Sequence, residues 1–85
     1  MKDLNSLRNK IDKIDNEIID LLNDRFDIVK EIGEYKKENN IPVEDKTREE
    51  IILQILDTKL SDSPYKKEIK NIYKELFTQS KNKQK

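Results

Sequence analysis

Eighty-five residues make one small domain with room for only a modest core of its own. Lysine plus arginine equal aspartate plus glutamate at 18 each, so no net field draws the chain toward nucleic acid or a membrane. With no cysteine and no histidine, disulfides, zinc–thiolate and imidazole metal sites, and Ser-His or Cys-His nucleophiles are excluded; any chemistry has to come from positioning and fixed charge.

Apolar runs never exceed two or three residues, too short for a transmembrane span or a signal-peptide core. A cytoplasmic protein with one domain over residues 1–85 is the expectation. Charged residues reach 42% and hydrophobic ones 33%, yet the apolar positions fall in helical register, which predicts a folded all-α chain rather than a disordered one.

The first predicted helix runs from about Lys2 to about Glu38. One seam along it reads Leu4, Leu7, Ile11, Ile14, Ile18, Leu21, Arg25, Ile28, Ile32, Tyr35, alternating spacings of three and four as a buried helix face does. Gly33 lies inside this segment, but the seam continues through it and predicts an unbroken helix. The turn Asn39–Asn40–Ile41–Pro42 ends it. A second helix over about 46–60 is opened by Asp45 or by Thr47, which with Glu50 fits a capping box. Its apolar face is Ile51, Ile52, Ile55, Leu56 and Leu60. After the break Ser61–Asp62–Ser63–Pro64, with Ser63 as N-cap and Pro64 in the first helical position, a third helix over about 64–81 buries Ile69, Ile72, Tyr73, Leu76 and Phe77. Residues 82–85 read as a polar, basic tail.

The first helix is about 55 Å long and the other two roughly 20 and 25–30 Å. Two short helices cannot cover so long a seam, so a second copy of the chain is expected on it, giving a homodimer built on paired long helices.

Arg25 breaks the apolar seam. Its guanidinium stays charged at any ordinary pH, and a buried charge needs an anion, from the protein (Asp45 or Glu49) or from a ligand. Lys36, eleven residues on, is about 20° off the same face and roughly 16 Å along it, within joint reach of one small anion. Arg8 is 28 residues before Lys36, roughly 42 Å away on the same helix, and could approach the Arg25 region only from the partner in an antiparallel dimer. Arg48 sits in the first turn of the second helix, where the dipole disfavours a cation. Ser80 and Gln84 lie on the apolar stripe of the third helix. By contrast Asp12, Asp15, Asp20, Asp24, Lys10, Lys13, Lys37 and the Lys66–Lys67 pair read as solvated surface.

The string Leu7-Arg8-x2-Ile11-Asp12-x-Ile14-Asp15-x2-Ile18-x2-Leu21-Leu22-x2-Arg25, followed by Gly33-x2-Lys36 and Pro42-Val43-x-Asp45-x2-Arg48-Glu49, resembles the all-helical chorismate mutases. Ile72-Tyr73-Lys74-Glu75-Leu76-Phe77-x2-Ser80-x3-Gln84 is similar to the closing segment of that family. The resemblance covers essentially the whole chain, without a gap through Glu49 and with one before the third helix. It implies an intertwined homodimeric helical bundle, three helices per chain, that rearranges chorismate to prephenate in phenylalanine and tyrosine biosynthesis. No cofactor or metal is implied. Arg8 (from the partner chain) and Arg25 would hold the two substrate carboxylates; Lys36 and Gln84 would donate to the ether oxygen of the breaking bond. Asp45 and Glu49 would face the ring hydroxyl, and Arg48 and Ser80 would complete the polar lining. Two rivals share the residue pattern: an isochorismate pyruvate lyase on the same fold, and a non-catalytic helical dimerisation module.

Overall fold

Asp3 has extended backbone and its carboxylate accepts the Ser6 N–H at 2.7 Å, capping the helix that follows. The computed structural model describes residues 3–85; the expected start at Lys2 lies outside them. Helix α1 spans Leu4–Glu38 and is unbroken at Gly33, although glycine in a helix interior costs about 1 kcal/mol relative to alanine. It ends where Asn40 adopts φ 55°, a left-handed conformation asparagine tolerates well, and Pro42 cannot extend it.

Helix α2 spans Lys46–Lys59. Of the two capping choices, Asp45 is the one used: its carboxylate accepts the Arg48 N–H at 3.0 Å. Helix α3 spans Lys66–Gln84 and so departs from expectation at both ends. Pro64 precedes the helix instead of opening it, because the Ser63 hydroxyl accepts the Tyr65 N–H at 3.1 Å and Tyr65 becomes the N-cap. At the other end the helix runs on through the expected tail, since Gln84 is packed against α1 at Gly33.

Helix α3 is the central element: it packs on both α1 and α2, while α1 and α2 make no backbone approach to each other. Lys70 and Lys66 near the start of α3 pair with Asp57 near the end of α2, and Lys81 near the end of α3 pairs with Glu49 near the start of α2, so α2 and α3 form an antiparallel hairpin. Helix α3 runs in the same sense as α1, with Ser80 beside Arg25 and Gln84 beside Gly33. One buried apolar residue per helix forms the core: Val29, Leu56 and Phe77.

The side of α1 turned to α3 carries Leu22, Phe26, Val29 and Gly33, the last two buried and the first two half-buried. The expected seam is displaced from it. Its apolar members are exposed in the single chain, Ile14 at 55% and Leu21 at 66% for example, because no other helix of the chain lies over them. Ile51, Ile55 and Ile72 are likewise exposed. The chain extends over 58 × 26 × 15 Å with a radius of gyration of 16.3 Å, against about 12 Å for a compact chain of this length. Its accessible surface is 7333 Å², in excess by about 2,000 Å² over a compact monomer of the same mass.

Candidate active site

Because α1 and α2 stand apart and α3 closes the space between them, a cavity of about 350 Å³ remains. Helix α1 contributes Arg25 and Lys36 to its polar lining, the start of α2 contributes Asp45, Arg48 and Glu49, and the end of α3 contributes Ser80, Lys81 and Gln84. The walls between them are apolar: Ile28, Val29, Ile32, Val43, Ile52 and Phe77. Seven of the eight site residues expected from sequence thus meet in one place. The eighth, Arg8, sits on the N-terminal half of α1, seventeen residues and about 25 Å of helix from Arg25, and does not line the cavity.

The Arg25 guanidinium donates to the buried Ser80 hydroxyl at 2.6 Å. This bond fixes one edge of the guanidinium and leaves further N–H donors free. The Lys36 ammonium donates to the Val43 carbonyl at 3.0 Å, which tethers it to the connection entering α2 and leaves two of its three protons. Among the described residues, no carboxylate stands at ion-pair distance from Arg25, Lys36 or Arg48. Asp45 and Glu49 share the cavity with Arg25 without pairing with it, so the internal ion pair weighed from sequence does not form. Gln84 carries a buried terminal amide atom, Oε1, without a hydrogen-bond partner, a position that a half-turn of the amide gives to its NH₂.

Lys81 had no role in the sequence reading. Its ammonium lies 3.2 Å from Glu49 and 3.5 Å from Glu44, and its pKa is raised above the ordinary lysine value chiefly by the hydrogen bond to Glu49. It follows Phe77 by one helical turn and adjoins Ser80, which places it on the edge of the inward stripe; that spacing was the available signal. With Lys81 included, the lining holds four cations and two carboxylates, a surplus of two positive charges. Such a cavity suits a small dianion with an apolar body: cationic donors grip its carboxylates while aliphatic and aromatic walls pack its skeleton.

Fold and cavity together define an all-α protein with a dianion-sized, cation-rich pocket at the junction of three helices. Residues 7–85 match the family described as chorismate mutase type II, and the chain belongs to that family. It is 44% identical over 54 residues, 64% of its own length, to 15% of a bifunctional chorismate mutase/prephenate dehydratase of Aquifex aeolicus. It is 41% identical over 49 residues, 58% of its length, to 50% of a chorismate mutase of Methanocaldococcus jannaschii. A second bifunctional chorismate mutase/prephenate dehydratase, from Buchnera aphidicola, is 44% identical over 54 residues, covering 64% of this chain and 14% of that protein. The chain thus spans half or less of the length of these curated relatives. No solved structure matches it.

Proposed function

We propose that the protein is a chorismate mutase acting as a homodimer, converting chorismate to prephenate in the cytoplasm on the route to phenylalanine and tyrosine. The observation that carries this reading is the set of cavity cations without carboxylate partners, Arg25, Lys36 and Arg48, in a chain whose family performs a reaction on a small dianion. In that rearrangement the ether C–O bond breaks as a new C–C bond forms within the same molecule, with no proton gained or lost. Catalysis then consists of holding the compact reactive conformer and meeting the negative charge that develops on the ether oxygen.

Arg25 grips one carboxylate, its guanidinium aimed by Ser80. Lys36 and Gln84 donate to the ether oxygen, the first as a point charge and the second as a neutral amide. Asp45 and Glu49 face the ring hydroxyl, Arg48 completes the lining, and Arg8 of the second copy supplies the remaining carboxylate contact. A dimer accounts for that last residue and for the exposed seam together. Covering about 2,000 Å² of excess surface on each chain gives an interface of the size seen in obligate homodimers.

The test is a chorismate-consumption assay on purified protein, with the product identified. Disappearance of chorismate with formation of prephenate is expected; a dimeric, folded preparation that leaves chorismate intact sinks the assignment. Running isochorismate in parallel separates the mutase from a pyruvate lyase, which would release pyruvate.

A further inference from the structure

The chain's single glycine sits one helical turn before Lys36 and two turns after Arg25, on the line of contact between α1 and α3. Its φ is in the ordinary helical range, not the left-handed region, so backbone freedom does not explain a glycine there. Space does. A Cβ built on Gly33 would stand 2.9 Å from the Gln84 Cα, 3.2 Å from its Cβ and 3.2 Å from its carbonyl oxygen. The obstruction is backbone, which cannot swing aside as a side-chain tip can. Helix α3 makes this backbone contact with α1 at its last helical residue, and one turn earlier a side-chain hydrogen bond joins Ser80 to Arg25.

The geometry points to Gly33 as a positioning residue for catalysis: its missing side chain is the notch that seats the backbone of Gln84 and so holds Gln84 in the cavity that Lys36 also lines. The proposal rests on the mutase reading. Gly33 touches no reacting atom and acts through Gln84 alone. Restoring a Cβ lifts the final turn of α3 from α1 while leaving Arg25, Lys36 and the α2–α3 hairpin in place. Alanine is also the better helix former within α1, so the effect on the fold and the effect on the reaction differ in sign or size.

The experiment is a double-mutant cycle of Gly33→Ala and Gln84→Ala, read by kcat, KM and thermal unfolding. Gly33→Ala is expected to lower kcat by about 10²-fold, the scale on which misplacement by an ångström acts. KM should stay near the wild-type value, because the carboxylate grip by Arg25 is untouched. In the Gln84→Ala background the same change should alter kcat within about twofold, since the amide it misplaces is already gone. Equal losses in both backgrounds, or a fully active Gly33→Ala enzyme, would overturn the proposal. Loss of helicity or of the dimer in Gly33→Ala overturns it too, by assigning the contact to the fold. A wild-type protein that leaves chorismate intact removes the mutase reading and this proposal together, whereas the first two outcomes remove only the role of Gly33.

Discussion

Arg25 holds one N–H against Ser80 and keeps the rest of its guanidinium for the cavity. A group used this way matters far more to a bound anion than to the fold. Arg25→Ala should lower kcat/KM by about three orders of magnitude or more, the effect of removing a contact that strengthens in the transition state, with helicity unchanged; a loss below tenfold would take Arg25 out of the site. Gln84 leads to a prediction about pH. A primary amide donates hydrogen bonds without a titration, whereas a carboxyl group would first have to be protonated. Activity is therefore expected to be flat across neutral pH, and a steep acidic optimum in the kcat profile would contradict Gln84 as donor. Arg25 was legible in sequence because a charge in an apolar heptad slot conflicts with its neighbours. Lys81 was not, because one more lysine in a basic C-terminal segment conflicts with nothing until α3 is seen to carry it to Glu49 and Glu44.

Among the elements, α3 decides the arrangement, since it alone packs on both other helices. Its hairpin with α2 is clamped at the far end by Asp57, which pairs with Lys70 at 2.8 Å and Lys66 at 3.4 Å. The Lys70 hydrogen bond is the main cause that holds the Asp57 carboxyl below its usual pKa. A depressed carboxylate stabilises the fold above its unfolded pKa and loses that contribution as pH falls through the folded value. Thermal stability should thus decline below about pH 4, and Asp57→Asn should flatten that part of the profile; an unchanged acid limb in the variant would place the loss elsewhere. Helix existence and the Asp45 cap could be read from periodicity and capping residues. The terminus of α3 could not: a polar Lys-Asn-Lys-Gln stretch has no local reason to stay helical, and what holds it is a tertiary contact with Gly33. The seam of α1 was legible as apolar, and a second copy of the chain was the neighbour expected on it; what could not be read is that α3 takes a different, displaced face of α1, the one carrying Val29 and Gly33.

For the molecule as a whole, the exposed Ile11, Ile14, Ile18 and Leu21 make the free chain a poor end state. A charge placed in that seam, Ile14→Glu or Ile18→Glu, should convert a dimer into monomers in sedimentation experiments and abolish activity with it; a variant that stays dimeric would move the interface to another face. Arg8 and Arg25 lie too far apart on one helix to serve the same pocket, so in the proposed dimer each pocket would draw them from different copies. Mixing Arg8→Ala chains with Arg25→Ala chains and letting them re-pair should then produce one intact pocket in every mixed dimer, and about a quarter of wild-type activity from random pairing. In genetic terms, two alleles that each fail alone should complement one another when expressed in the same cell, so that a mutational screen scoring each lesion separately would misjudge what the pair can do.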